Sequence, residues 1–319
     1  SLDEVVVTAL GVSRNARETV YANQTVGADD LLSVTNKNTL EALRGKTAGV
    51  RLSTGSGSVG ASTRIVLRGE SSLTGNNNAL IVIDGIPIDN QSTSGGDGSS
   101  TAGYADHGNR FNDVNPDDIE SVTILKGPSA TSLYGSRGAS GVVLIKTKRG
   151  SEKGKSMRVD FNSSYSTETA YVLLQRQDRF GQGYDNAHFD SGENWSWGPA
   201  FDGVVRPWTS PVDTDGDGAL EALVRPYAAV PNQLQDFFNR GNTATNSIAF
   251  SGGTNGFTYR LSYSNLNQNG ILDNTYYKRN TLAFSASAKL SERLSSDFSV
   301  SYANTNQNTA QEGSRAFEG

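Results

Sequence analysis

The sequence predicts an α+β domain followed by the antiparallel strands of a transmembrane β-barrel. Short apolar runs separated by glycines fill the first half of the 319-residue chain. After residue 155 the pattern changes to long stretches in which apolar and polar residues alternate, which is the signal of half-buried strands. The polar faces are rich in Ser and the strand ends carry Tyr, as at a lipid interface. A water-soluble β-sandwich has the same alternation and is the structural alternative.

Local signals in the first half predict a short helix and several strands. The helix, Thr39–Gly45, carries Leu40 and Leu43 on one face and ends at its glycine. Asn115 begins a turn or a helical cap, and residues 90–103 are too polar to bury, so they predict an exposed loop. The predicted strands are two runs between Val50 and Leu67 around the glycine turn 55–60, and the segments Leu80–Ile86, Ile119–Leu125 and Val142–Lys148.

The second half predicts five strands, at about 156–167, 243–252, 256–267, 278–290 and 293–305. Tight connections at Gly252–Gly256 and Leu290–Arg293 alternate with long ones at Tyr171–Asn242 and Asn267–Lys278. Outer-membrane barrels have short periplasmic turns and long outer loops, so the first strand is expected to run outward. Because such barrels close on an even number of strands, these five are expected to be part of a larger barrel.

Composition excludes several classes of protein. The chain has no Cys, so neither a disulfide framework nor a thiolate metal site can form. Its net charge of −5 argues against a general nucleic-acid-binding surface. No run of 18 apolar residues is present, which excludes a transmembrane helix but not alternating strands. The chain opens at Ser1 without a signal segment, which indicates a processed or engineered start.

Three motifs resemble catalytic ones but fail in context. Residues 55–60 match the dinucleotide fingerprint, yet a strand rather than a helix follows them. Residues 45–47 end like a phosphate loop, but Leu40 stands where the leading glycine is needed. No Gly-x-Ser-x-Gly elbow is present, and only His107 and His188 could serve as a base. We therefore expect no enzyme, no catalytic residue and no organic cofactor.

An acidic segment has part of the pattern of a calcium loop. Asp213, Asp215 and Asp217 place carboxylates at alternate positions, and Gly218 occupies the sixth position, where the loop turns. The twelfth position is Val224, where a bidentate Glu is expected. The segment is either a structural calcium site that orders the first long loop or an exposed acidic loop tip.

Four segments of the first half occur in a fixed order, namely Arg64–Gly69, Ile81–Ile88, Asp117–Gly127 and Leu133–Thr147. Together they resemble the plug domain of TonB-dependent outer-membrane transporters, most closely the SusC/RagA type. The second half resembles the start of the barrel that such a plug closes. The resemblance implies an α+β plug domain followed by the amino-terminal part of a 22-stranded barrel. It divides the chain into a TonB-box-like segment (1–10), the plug (11–150), and the first strands and outer loops of an incomplete barrel (151–319).

The resemblance implies TonB-dependent active import of an oligosaccharide or a peptide across the bacterial outer membrane, with the plug gating the barrel. It also implies a multi-pass barrel in outer-membrane lipid with its amino-terminal segment in the periplasm. The implied partners are TonB with ExbB and ExbD and a SusD-like surface lipoprotein, with no nucleic acid. Two alternatives remain: a scaffolding subunit that docks a larger outer-membrane assembly, and a soluble β-rich adhesin.

The segment Leu2–Ala9 is short, β-branched and isolated, and such a peptide can add as a strand to another protein's sheet edge. It resembles the TonB box, which would comprise Asp3, Glu4, Val5, Val6, Val7 and Thr8. The alternative is an ordinary edge strand of the plug. Arg68 and Arg137 follow apolar strands and adjoin glycines, so they are expected to lock the plug to barrel carboxylates, or else to cap surface turns. Asp84-Gly85 predicts a tight turn.

Ligand contacts are expected on outward loops held by the rigid plug. The predicted substrate-binding residues are Asp89, Asn90, Gln91, Tyr104, His107, Arg110 and Phe111. Trp195, Trp197 and Trp208 in the first long loop are candidate lid contacts. Aromatic side chains of this kind stack on sugars, pack against partner proteins or anchor their own loop, and the sequence leaves these three roles open.

Overall fold

The computed structural model of the chain describes residues 5–7, 13–15, 23–32, 43–54, 57–70, 77–90, 106–126, 132–150, 157–184, 195 and 197–310. Two compact units result: Ser1–Glu168 with Arg240–Gly319 form one, and Thr169–Asn239 form the other. The predicted plug and the later strands therefore fold as one unit, while the first long loop packs on itself. None of the helices among the described residues is long and apolar enough to cross a membrane.

The plug is built on a five-stranded mixed sheet with the order β3-β8-β9-β6-β7. Strands β6 and β9 run parallel, and the other neighbours are antiparallel. Strands β4 and β5 form a separate hairpin, and β1 pairs with β2. The elements are β1 (Val5–Val7), β2 (Ser13–Asn15), β3 (Asn23–Gly27), α1 (Ala28–Leu32), β4 (Val50–Thr54), β5 (Thr63–Leu67), β6 (Leu80–Ile83), β7 (Ile86–Ile88), β8 (Ile119–Leu125) and β9 (Val142–Thr147).

The plug core lies where the apolar runs of these strands meet. Ile65, Ile81, Ile119 and Val143 are at 0% exposure, and they pack in one cluster with Phe111. The side chains of β8 and β9 are buried along most of their length, as expected for strands covered on both faces. The continuous apolar runs of β8 and β9 thus agree with their position inside the sheet rather than at its edge.

Most of the predicted plug strands are confirmed. The run Leu80–Ile86 is divided in two, because Asp84 (φ 48°) and Gly85 (φ 89°) make the predicted tight turn between β6 and β7. The Asp84 carboxylate also accepts hydrogen bonds from the backbone N–H (3.0 Å) and the hydroxyl (2.6 Å) of Thr147. Of the predicted helix Thr39–Gly45, only Leu43 onward is described, and it forms a turn. β3 and α1 were not predicted.

The second half forms a five-stranded antiparallel sheet, called the wall sheet here, in which chain neighbours are also spatial neighbours. All five predicted strands are confirmed within a few residues. The connection between β14 and β15 is shorter than predicted, since Tyr276 and Tyr277 continue the ladder opposite Asn269 and Gln268. The strands are β10 (Arg158–Glu168), β13 (Gly241–Thr254), β14 (Phe257–Asn269), β15 (Tyr276–Lys289) and β16 (Ser295–Asn308).

The wall sheet has the reverse of the usual polarity on β14 and the first half of β15, where mostly polar side chains are buried and the apolar ones are more exposed. No side chain of β10 or β16 is buried. On β14, Ser262 and Ser264 are 4% and 1% exposed, whereas Leu261 and Tyr263 are 39% and 45% exposed. On β10, Phe161 is 71% exposed. An apolar face of this size left open marks a membrane or partner surface. The described strands therefore contradict the soluble sandwich, which would bury that face.

The unit Thr169–Asn239 contains β11 (Val205–Pro207), β12 (Val224–Pro226) and the short helix α2 (Gln233–Phe237). β11 and β12 pair as an antiparallel ribbon. Tyr227 holds the unit together: its hydroxyl donates to the Pro199 carbonyl at 3.0 Å, and its ring packs 5.0 Å from that of Phe201. The described residues of this long loop therefore have a structure of their own.

The reversed polarity predicts opposite effects of charge on adjacent residues of β16. Val300 is 55% exposed on the apolar face, and Ser299 lies on the other face. Val300→Arg should lower the free energy of unfolding of the complete protein in lipid vesicles by about 2 to 4 kcal/mol, the cost of an arginine near the membrane midplane. Ser299→Arg should lower the free energy of unfolding by clearly less. Urea-induced unfolding in vesicles measures both, and equal losses would contradict a lipid-facing apolar surface.

Candidate functional site

Residues 106–118, called the docking segment here, lie between the plug strands and the wall sheet. The segment makes two 3-10 turns, Arg110–Asp113 and Pro116–Asp118. The second turn forms because Asn115 caps it, accepting from the Asp117 backbone N–H at 3.3 Å, and Pro116 supplies a helical φ at its first position. This local geometry places two adjacent carboxylates, Asp117 and Asp118, at the surface that meets the wall.

A buried ion pair joins the docking segment to β14. Arg260 Nη2 lies 2.9 Å from Asp118 Oδ1, and the two side chains are 7% and 12% exposed. The Ser262 hydroxyl donates to Asp118 Oδ2 at 2.8 Å, and Asn115 Nδ2 donates to the same oxygen at 3.1 Å. Arg260 Nη1 also lies 3.8 Å from Asp160 on β10. Because both charges are desolvated, removing either one would leave the other buried without its partner.

The neighbouring carboxylate extends the contact to two more strands. Asp117 Oδ1 accepts from Asn162 Nδ2 on β10 at 2.9 Å, and Asp117 Oδ2 accepts from the Ser247 hydroxyl on β13. The Asp117 carbonyl accepts from Lys148 Nζ at 2.8 Å. The aspartate pair therefore bridges β10, β13 and β14 at one place on the polar face of the wall.

The first turn of the docking segment binds β15 and β16 through its backbone carbonyls. Arg279 Nη1 donates to the carbonyl of Asn112 and, at 3.2 Å, to that of Val114. Gln307 Nε2 donates to the His107 carbonyl at 2.8 Å. The wall sheet therefore binds three backbone carbonyls of the segment in addition to its two aspartate side chains.

A small apolar contact lies beside this polar one. Val59, Leu266 and Tyr277 form a buried cluster shared by the plug loop before β5 and the wall strands β14 and β15. Gly60 has φ +69°, and a Cβ there would lie 2.3 Å from the Tyr277 ring. Glycine is therefore required at this position for both conformation and close approach.

The predicted locking arginines are not the ones that bind the wall in the described residues. Arg68 and Arg137 are exposed. Burial, and then the charge of Arg68, lower the pKa of Lys126, so Arg68 stands close to another cation. Their pairing with barrel carboxylates stays a prediction. The sequence analysis did not identify Arg260 and Arg279, although each had a signal. Arg260 is the single charge on its face of β14, and Arg279 shares its face of β15 with one other charge, Lys289 at the strand end.

The predicted substrate residues fall into several environments. Phe111 is 1% exposed in the plug core, so its assignment as a substrate contact is corrected. It follows the first residue of a 3-10 turn, and its apolar ring is drawn into the core rather than toward the outside. Asn90 is 8% exposed, whereas Asp89, His107 and Arg110 are exposed. Gln91 and Tyr104 lie outside the described residues. For the residues other than Phe111, substrate binding stays a prediction.

The amino-terminal segment is described only at Val5–Val7. These residues form β1, which pairs antiparallel with Ser13–Asn15. Asp3, Glu4 and Thr8 lie outside the described residues. Val5–Val7 are therefore extended, in a two-stranded ladder separate from the plug sheet, and the choice between the TonB-box and the edge-strand interpretation stays open.

The acidic loop brings its carboxylates together at the surface. One oxygen from each of Asp213, Asp215 and Asp217 lies within 4.8 Å of the others. Backbone N–H groups of Gly216 (2.6 Å) and Gly218 (2.9 Å) donate to Asp213, and these bonds hold the pKa of Asp213 below its usual value. The group thus keeps its negative charge at lower pH than a free Asp, and the oxygens suit a hard cation.

The three tryptophans of the first long loop are partly exposed, at 45% for Trp195, 73% for Trp197 and 43% for Trp208. The Trp208 ring lies 4.7 Å beneath the Arg225 guanidinium carbon, and the Trp195 ring lies 5.4 Å from that of Tyr184. Two of the three therefore help to anchor their own loop while keeping an open face.

Comparisons with known proteins agree with this geometry. The TonB-dependent Receptor Plug Domain family matches residues 15–142. The TonB-dependent receptor SusC of Bacteroides thetaiotaomicron is 30% identical over 301 residues, which cover 93% of this chain and 25% of that protein. Receptor P26 of Formosa agariphila is 28% identical over 309 residues, covering 96% and 27%. The chain thus spans about a quarter of the length of these relatives.

Among solved structures, the RagAB peptide importer in its open-open state is similar, with a TM-score of 0.70 at 23% identity. The match covers 97% of this chain and 33% of that one. The siderophore receptor PirA of Acinetobacter baumannii has a TM-score of 0.54 at 16% identity, covering 95% and 33%. These likenesses show the fold: a plug followed by barrel strands.

Replacing Asp118 should lower the stability of the protein strongly, whereas breaking an exposed ion pair between plug and wall should lower it only slightly. Asp118→Ala should lower the free energy of unfolding of the complete protein by about 3 kcal/mol, because Arg260 stays buried without its main partner. The matched control is Asp297→Ala, which breaks an ion pair with Arg149 whose side chains are 55% and 40% exposed. That loss should stay below about 1 kcal/mol. Urea unfolding measures both, and equal losses would contradict the role given to Asp118.

Proposed function

The chain belongs to the SusC/RagA-type TonB-dependent receptors, of which it comprises the plug and the first barrel strands, and we propose that it serves TonB-dependent import of a nutrient across the bacterial outer membrane. The observation that carries the proposal is the wall sheet, whose apolar face is open and whose polar face holds the plug. Such a sheet suits a barrel in lipid with a polar lumen. The plug occupies the space through which a solute would pass.

The polar contact between plug and wall supports gating. Each plug-to-wall hydrogen bond can be exchanged for one with water, so its net contribution is only about 0.5 to 1.5 kcal/mol. A plug held mainly by such bonds can be moved by an applied force without the cost of exposing a large apolar interface. In the proposed scheme, outer loops bind the nutrient, and TonB pulls on the amino-terminal segment.

The amino-terminal strand supports the coupling role of the residues Asp3–Thr8. Val5–Val7 already has extended backbone, paired with Ser13–Asn15 in a two-stranded ladder. Two isolated strands are marginally stable in water, so this ladder can open at low cost. Once released, β1 can add to a sheet edge of TonB through its main-chain groups. TonB with ExbB and ExbD would supply the energy for the movement.

The nutrient is proposed to be an oligosaccharide or a peptide, delivered under a SusD-like surface lipoprotein. The similarity to the RagAB peptide importer supports the peptide class. The exposed faces of Trp195, Trp197 and Trp208 suit either a sugar ring or a partner protein. No covalent chemistry is proposed for this chain.

We also propose a structural calcium ion at Asp213, Asp215 and Asp217. Calcium would neutralise three clustered carboxylates and order the tip of the first long loop. The residues fit the ion in spacing and in the oxygen type of their ligands, although the loop lacks the carboxylate that usually completes such a site. The ion would have no part in transport chemistry.

Coupling through β1 predicts that a proline at Val6 abolishes uptake. Proline cannot donate to a β-ladder, so Val6→Pro should block strand addition to TonB. Nutrient uptake should fall to that of cells without TonB, while binding of the nutrient at the cell surface is unchanged. The matched control, Val6→Ile, keeps the strand propensity and should transport normally. Unchanged uptake by the proline variant would remove the coupling role.

The calcium proposal predicts that the loop becomes protected when the ion is added. Proteolysis of residues 169–239 in the complete receptor should slow with rising calcium, and Asp213→Asn should raise the calcium concentration needed by about tenfold or more. Asp236→Asn, on α2 of the same unit, removes an equal charge away from the loop and serves as the control. A calcium response that is absent, or equal in the two variants, would identify a plain acidic loop tip.

A further inference from the structure

Two buried arginines project from neighbouring wall strands toward the docking segment, but only one has a carboxylate partner among the described residues. Arg260 on β14 pairs with Asp118 at 2.9 Å. Arg279 on β15 is only 3% exposed, and its Nε and Nη2 have no hydrogen-bond partner in the described part of the chain. A buried cation without a counter-charge is unfavourable. Arg279 therefore lacks a group that Arg260 has.

The unused atoms of Arg279 form one edge of its guanidinium group. The opposite corner, Nη1, is occupied by the carbonyls of Asn112 and Val114, which fixes the plane of the group. The Nε–H and Nη2–H bonds point the same way, in the fork that pairs with the two oxygens of a carboxylate. The side chain is thus held in place with its two-donor edge open.

Other buried polar atoms without partners lie on the same side of the sheet. The Ser264 hydroxyl is at a residue 1% exposed and has no partner. Ser264 pairs in register with Thr281, two residues from Arg279 on the same face. Gln307 Oε1, on the next strand, is likewise unpartnered. Since buried polar atoms are nearly always hydrogen-bonded, this group of them indicates an ordered occupant.

The carboxylate that the docking segment offers nearby is engaged elsewhere. Asp113 Oδ1 accepts from the Thr305 hydroxyl at 3.3 Å, and Thr305 is the cross-strand neighbour of Arg279. The Thr281 hydroxyl donates to the Asp113 carbonyl at 3.4 Å. Asp113 thus lies close to Arg279 without a hydrogen bond to its Nε or Nη2, and this edge of the guanidinium has no partner among the described residues.

We propose that Arg279 binds a small free oxyanion of the carboxylate type at the seam between the docking segment and the wall sheet. The Nε and Nη2 groups would donate to its two oxygens, and the Ser264 hydroxyl would be a third donor. Formate is the smallest carboxylate that presents both of its oxygens to such a fork. The anion would supply at Arg279 the charge that Asp118 supplies at Arg260. This inference does not depend on what the receptor transports.

The test uses the complete receptor in detergent with formate as the probe. At constant ionic strength, kept with a bulky anion, formate should raise the thermal midpoint in a saturable way. Arg279→Gln should lose the response. Arg293→Gln removes an equal charge from an exposed turn and should keep it. A structure determined in formate should show a planar group on the Nε–Nη2 edge.

Two further variants keep the proposal falsifiable where Arg279→Gln does not fold. Ser264→Ala should weaken formate binding several-fold while leaving the fork intact. Asp113→Asn should retain the wild-type response, since Asp113 is not the occupant. If formate acts only on Asp113→Asn, then Asp113 fills the fork in the wild type and the proposal is wrong. It is equally overturned by a fork that holds only water in formate, or by equal responses in Arg279→Gln and Arg293→Gln.

Discussion

The structure depends on the polar face of the wall sheet being satisfied by the plug. In a sheet whose apolar side is open, the Ser, Thr and Arg side chains of the other side need hydrogen-bond partners once water is excluded. The docking segment provides several of them, with Asp118 on Arg260 and Ser262 as the most buried contact. The amino-terminal domain therefore complements the polar face of the strands, and the two form one compact unit.

The same requirement explains why the docking segment has irregular structure. A strand would use its backbone groups in a ladder with its neighbours, and a long helix would use most of them internally. Two short 3-10 turns instead leave carbonyls such as those of Asn112 and Val114 available to Arg279. Asn115 and Pro116 then fix the direction in which the two aspartates leave the chain. The Asn115 cap and Pro116 thus place the two aspartates against three strands that are distant in the sequence.

Elements that depend on residues close together in the chain were predictable from the sequence, whereas elements that depend on tertiary packing were not. The wall strands were predictable because the alternation in segments such as Phe257–Ser264 is local and survives any tertiary context. The strands around Ile81 and Val143 were predictable because their continuous apolar runs are also a local signal, and the Asp84-Gly85 turn between β6 and β7 was predictable from its residue types. The helix α1 was not, since its five residues are mostly polar or small and its formation depends on packing against β3 and β8.

The site was less predictable, because most of its pairs are separated by more than a hundred residues and arise only when the sheet register is known. Asp118 and Arg260 carry no mutual signal in the chain, although a lone arginine among serines on an inward strand face already indicates a buried partner. Phe111 shows the opposite error: a loop position suggested exposure, but burying an aromatic ring stabilises the plug more than a loop contact would. A charged residue on an otherwise small and polar strand face is therefore a better indicator of such a site than a position in a loop.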